Sequence, residues 1–273
     1  MWRNSNNRAQ EARCLASCTV ACLMVGDFPA AEDYARQALA LCRSLGNRAG
    51  EGHALYILGR IYRDIGLLSA ARDYSIQALD ILHLTGERPR EAYRLLELGN
   101  LHANLGEYTA AQQTLEQAAA LFQQVDEPRG YGYALLDLGL VRLALGHGDA
   151  ARDCIERGRS MVIAANDRWG EACGLHYIGL VLEELGDLDA AAAAFRQSLA
   201  IKCEIGRPTR AMEDQAGLAR IALAQGRRSE ARQYVAEMLD RLAQDGIHGL
   251  ERPFLIYSTA HQVLAAAGET SKA

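Results

Sequence analysis

Apolar residues recur along this chain at three- and four-residue steps. In residues 52–86, Leu55, Leu58, Ile61, Tyr62 and Ile65 trace one face of a helix. Gly66 then ends the run, because glycine just past the last periodic position takes the left-handed conformation that closes a helix. A second apolar run follows at once, so the stretch reads as a helical hairpin. The pattern repeats: Gly26, Gly66, Gly106, Gly146, Gly186 and Gly226 stand 40 residues apart. Repetition at that interval signifies an array whose units bury their apolar faces on one another.

Ser69, Thr109, Asp149, Asp189 and Ser229, three residues after their glycines, carry side-chain oxygens suited to capping the second helix. In the first unit, Asp27 is expected to cap a slightly shifted helix with Pro29 in its opening turn. Small residues follow at Ala31, Ala71, Ala111, Ala151, Ala191 and Ala231. A further glycine series, Gly59, Gly99, Gly139 and Gly179, lies inside the first helices, where each costs about 1 kcal/mol relative to alanine. Close approach of the paired helix offsets that cost if Gly59 faces Ala71 across the hairpin.

These spacings lay out a single array over residues 1–273, with hairpins at 8–46, 47–86, 87–126, 127–166, 167–206 and 207–246 and a capping helix at 250–267. Residues 8–25 behave as a first helix with no capping unit before them. Either this is a fragment of a longer chain, or that face pairs with something, and the N-terminal helix is open to self-association.

Composition narrows the function classes. Net charge is −5 with the two signs interspersed, which leaves no electrostatic footprint for nucleic acid or anionic membrane. Asp137 and Arg142 break even the apolar stretch from Leu135 to Leu145, so no run approaches a membrane span. The N-terminal residues lack the apolar core of a signal peptide. The seven cysteines include no CxxC pair, which fits reduced thiols and a cytoplasmic location.

Leu55, the pair Leu58-Gly59, Tyr62 and Ala71 follow the order of the tetratricopeptide repeat: a large residue, Leu-Gly, an aromatic three residues on, then alanine. The bulky residue four beyond that alanine is Ser75 here and Leu115, Ile155, Phe195 and Val235 in later units. The chain resembles this family over almost its whole length. It departs in its longer period, in the replacement of the opening Trp by Leu15, Leu55, Leu95, Leu135, Leu175 and Gln215, and in prolines (Pro89, Pro128, Pro208) that open units instead of closing them. The longer form is similar to arrays in bacterial signal-transduction ATPases and large transcription activators, as NRAGEGHALYILG and NDRWGEACGLHYIG illustrate. The resemblance implies an all-α, right-handed superhelical α-solenoid of about six helix-turn-helix hairpins plus the C-terminal capping helix. It also implies a non-enzymatic scaffold that binds a protein or peptide in the concave groove, or else the C-terminal sensor or autoinhibitory region of a larger bacterial signalling ATPase or transcription activator.

Cys14, Cys18 and Cys22 lie at four-residue steps, where thiolates could meet a soft metal. By the repeat frame, however, Cys18 and Cys22 fill the slots of Leu58 and Tyr62, where cysteine is a small hydrophobe. Arg48, Arg88 and Arg168, each with a glutamate three residues on (Glu51, Glu91, Glu171), form an anion site or local helix-start electrostatics. No catalytic grouping or phosphate loop recurs, so neither cofactor nor metal is expected.

In the family's superhelix the first helices line a concave groove. Carried over slot by slot, its binding residues are His53, Tyr56, Ile57, Arg60 and Arg63, then Tyr93, Glu97, Asn100 and Asn104. Tyr133, Asp137 and Leu140 follow, then His176, Tyr177, Leu180, Glu183 and Glu184, and finally Glu213 and Arg220. Aromatic, basic and acidic groups so mixed suit an extended peptide or helix with both apolar anchors and polar groups.

Overall fold

The computed structural model describes residues 2–245 and 253–266, and among these it holds thirteen α-helices and no strand. They are α1 (Trp2–Met24), α2 (Phe28–Ser44), α3 (Arg48–Asp64), α4 (Leu68–Thr85), α5 (Arg88–Asn104), α6 (Tyr108–Gln124), α7 (Pro128–Ala144), α8 (Gly148–Ala164), α9 (Arg168–Glu184), α10 (Leu188–Glu204), α11 (Pro208–Ala224), α12 (Arg228–Asp245) and α13 (Pro253–Ala266). The fold is an all-α helical repeat. It divides into two compact units, one formed by the helices up to Ala134 and one from Leu135 onward.

Every first helix ends as the glycine ladder requires. Gly66 sits at φ +82°, its N–H donates to the Arg63 carbonyl at 3.0 Å, and the Leu67 N–H donates to the Tyr62 carbonyl at 2.8 Å. These two bonds form a Schellman turn. The residue completing the turn is also the N-cap of the next helix, which corrects the expected cap positions. Ser69, Thr109, Asp149, Asp189 and Ser229 lie inside the first helical turn, because the Schellman turn closes only one residue past the glycine. Asp27 and Asp187 cap from that earlier position, accepting from the Ala30 and Ala190 N–H groups at 3.1 and 3.2 Å.

The interior glycines stand where a Cβ would strike the bulky residue of the paired helix. At Gly139 it would lie 2.3 Å from Ile155 Cγ1, and at Gly99 2.6 Å from Leu115 Cγ. Beside Gly59, Ala71 contributes its carbonyl oxygen at 3.4 Å and Ser75 its hydroxyl at 3.2 Å. The hairpin contact is thus glycine against the bulky slot, with the alanine backbone alongside.

In the first unit α1 to α6 pack in sequence, each on the next, around Leu55, Leu58, Ile61 and Phe122. In the second unit Phe195, Met212, Ile221 and Met238 form the interior. There α13 seats Ile256, Ala260 and Val263 against α11 and α12. Residues 250–252 and 267 of the expected capping helix lie outside the described residues. Cys18 is exposed, not buried in a core, because α1 has no helix on that face among the described residues.

Candidate functional site

The first helices of the first unit bring several expected residues together. Tyr56 on α3 lies under the guanidinium of Arg94 on α5, whose central carbon stands 3.4 Å from the ring centroid. Arg60 approaches the same ring at 5.8 Å and His53 flanks it at 6.4 Å. Arg94 also pairs with Glu97. His53, Tyr56, Arg60 and Glu97 therefore share one cluster, organised by Arg94. Burial holds the His53 imidazole below its usual pKa, and Arg90 and Arg94 push it further down. Arg94 is absent from the slot-derived set because its slot holds alanine, Ala54, one repeat earlier.

Other expected residues are engaged elsewhere. Arg63 turns to its neighbour Asp64 at 3.1 Å. Tyr93 packs edge-on against Phe122, ring centroids 4.9 Å apart, and its hydroxyl donates to Glu127 at 3.3 Å. Burial, then Glu127, raises its phenol above the usual range. Asn100 is half-buried and Asn104 exposed, while Tyr133 lies 5.9 Å from the Arg129 guanidinium.

In the second unit the slots of α9 and α11 hold a buried ionic network. His176 is 3% exposed, and its Nδ1 lies 2.7 Å from Asp214 Oδ1. The Lys202 ammonium, also buried, donates to Asp214 Oδ2 at 2.8 Å. Phe195 and Tyr177 flank the imidazole at 5.5 and 5.9 Å. Burial pushes the Asp214 carboxyl up, and His176 and Lys202 more than reverse this, so it titrates below the usual aspartate range. His176 and Tyr177 are thus interior residues and not open groove contacts. Glu213 is buried as well, and Leu180 packs partly into the Phe195 cluster. Asp137 is half-buried. Glu183 accepts two bonds from Arg220, at 2.7 and 2.6 Å.

The recurring Arg and Glu pairs are local. Arg48 to Glu51 and Arg88 to Glu91 each measure 3.0 Å, and Arg168 to Glu171 2.6 Å. The preceding second helix joins in through Arg43, which donates to Glu51 at 2.9 Å, and His83, 2.9 Å from Glu91. Glu51 and Glu91 thereby also tie one hairpin to the next. Among the described residues no group of three or more His, Cys, Asp or Glu is placed to hold a metal ion. No described helix is long and apolar enough to cross a membrane.

The tetratricopeptide repeat pattern matches residues 19–82, and a second pattern of that family matches residues 92–124 and 175–202. No curated protein matches the chain. Among solved structures, the apo form of RapI superposes with a TM-score of 0.70 at 10% identity, over 96% of this chain and 100% of that one. A Rap protein complexed with Competence and Sporulation Factor gives 0.65 at 13% identity, over 96% of this chain and 76% of that one. A tetratricopeptide repeat protein from Parabacteroides merdae gives 0.60 at 18%, over 95% and 88%. At such identities the likeness is one of fold.

Proposed function

Since the chain is a tetratricopeptide-repeat protein, we propose that it is a non-enzymatic scaffold that binds a protein or peptide segment along the faces of its first helices, within the cytoplasm. The observation that carries this reading is the half-exposed cluster of Tyr56, Arg60, Arg94 and Glu97 on α3 and α5. An aromatic face and a guanidinium fork together give a partner both apolar area and directional hydrogen bonds, the combination that dominates binding hot spots. A Rap protein of similar fold is complexed with Competence and Sporulation Factor, which supports a binding role for this fold here as well.

A photo-crosslinking residue at position 60 tests the reading in the native host. Adducts at 60 that are missing when the same residue stands at 113, on the exposed side of α6, are expected. The reverse pattern would move binding to the second helices.

A second reading draws on the end of α1, where Val20 and Met24 are exposed, Met24 by 83%, with Val25 exposed in the turn that follows. We infer that these side chains could serve as a contact surface, used in self-association or inside a larger signalling ATPase or transcription activator. Light scattering across a wide concentration range discriminates: an invariant monomer mass removes self-association.

A further inference from the structure

A cavity of about 340 Å³ lies between α1, α2 and α3. Its walls are mostly short side chains, Ala12, Ala16 and Thr19 on α1, Ala35, Ala38 and Cys42 on α2 and Ala54 on α3, with Ile57 and the polar Asn47 among them. Burial, then Glu51, pushes the Cys42 thiol up in pKa, so the cysteine serves as an apolar wall and not as a nucleophile.

The repeat itself shows what fits this space. Forty residues on, the slot of Ala16 holds Tyr56, that of Ala54 holds Arg94, and that of Cys42 holds Leu82. There the tyrosine ring lies packed under the guanidinium at 3.4 Å. Two of the cavity's alanines, Ala16 and Ala54, thus stand in the slots that carry that ring and its stacked guanidinium one repeat on. The cavity volume falls within the range of pockets that accept organic groups, roughly 300 to 1,000 Å³. Its lining is mostly apolar and it opens to solvent, so a side chain entering it buries apolar surface and displaces water. At its rim stand Arg13 and His53; Arg90 and Arg94 act on that imidazole but are each paired with a glutamate, Glu87 and Glu97, so the exposed Arg13 supplies the positive charge at the mouth.

We propose that this cavity receives an aromatic side chain of a partner segment whose neighbouring residues are acidic. The ring takes the place that Tyr56 fills in the next repeat, and the flanking carboxylates meet the basic rim. The inference rests on the reading of the chain as a peptide binder and adds a site that adjoins the Tyr56 cluster, sharing His53 with it.

The test uses the full chain labelled with ¹³C at its alanine methyls and three probes: acetyl-Asp-Phe-Asp-amide, acetyl-Asp-Ala-Asp-amide and acetyl-Lys-Phe-Lys-amide. The first is expected to shift the methyl signals of Ala12, Ala16, Ala38 and Ala54 saturably. The second should leave them in place, and the third should bind about tenfold more weakly. Ala16→Tyr should abolish the response without lowering the melting temperature. Cys42→Leu, also the next repeat's own residue, takes its place if Ala16→Tyr loses helicity.

Unmoved methyls with the phenylalanine probe, equal shifts with the alanine probe, or a response that survives the filled cavity would each overturn the proposal. Shifts produced by raising protein concentration alone would assign the cavity to a second copy of the chain and overturn it too. Partner binding that is lost in Arg60→Glu but kept in Ala16→Tyr would leave the first-helix face standing and remove the cavity. Methyl shifts that persist when no partner binding depends on Arg60 would do the opposite.

Discussion

His176 Nδ1 meets Asp214 Oδ1 at 2.7 Å inside the second unit, and the Lys202 ammonium holds the other carboxylate oxygen at 2.8 Å. This three-helix contact joins α9, α10 and α11. Asp214→Asn leaves a buried ammonium without its counter-charge and should cost about 3 to 5 kcal/mol. The sign of the pH effect follows from the carboxyl titrating below its ordinary range. Its stabilisation is present above the unfolded aspartate pKa of about 3.9 and is lost as pH falls through the folded value. In urea unfolding, the gap between wild type and Asp214→Asn should therefore shrink as pH drops below about 4. A gap that widened there would contradict the pairing.

Gly139→Ala should destabilise by about 1 to 3 kcal/mol, because the new methyl meets both Ile155 and the immovable Ala151 carbonyl, the latter at 3.0 Å. Gly59→Ala is a control within the same series. Its nearest atom is the Ser75 hydroxyl at 3.2 Å, and the gain in helix propensity of up to about 1 kcal/mol offsets the contact. Identical urea midpoints for the two variants would argue against nesting at the bulky slot.

Gly66→Ala places a Cβ at φ +82° and should cost about 1 to 2 kcal/mol. Asp126→Gly, at φ +54°, should shift stability by less than about 1 kcal/mol, since aspartate tolerates this conformation. Thermal unfolding of both variants checks the pair, and tolerance of alanine at 66 would refute the turn geometry.

Glu183 and Arg220, doubly bonded at 2.7 and 2.6 Å, connect α9 to α11. Bidentate geometry and partial burial lift such a pair above an ordinary surface bridge. A double-mutant cycle with Glu183→Gln and Arg220→Met should return a coupling of about 1 to 2 kcal/mol. A coupling near zero would reduce the pair to a surface contact.

The glycine ladder and the alternation of helices were readable because each depends on local chemistry: apolar spacing and a residue free to take positive φ. The companion ladder of Gly46, Gly86, Asp126, Asn166 and Gly206, all at positive φ, closes the second helices at the same spacing. Glycine counting misses it, because Asp126 and Asn166 occupy two of its rungs. Their short polar side chains make that conformation accessible.

Cap positions were displaced by two residues, since the Schellman bonds at Gly66 consume the space a longer loop would need. The candidate site was less legible. Slot counting found Tyr56, Arg60 and Glu97, but His176 carries no local sign of burial. Its partners Lys202 and Asp214 belong to two other helices, a juxtaposition that only packing creates. Lys202 gave no sequence signal beyond being one of two lysines in the chain.

The claim that the first-helix face binds a partner is tested most directly by quantitative affinity capture from the native host with wild type, Arg60→Glu and Gln113→Glu. Circular dichroism should show equal helicity in all three. Captured partner is expected to fall by tenfold or more, about 1.4 kcal/mol, for Arg60→Glu alone. Equal capture by wild type and Arg60→Glu, with loss in Gln113→Glu, would contradict the account.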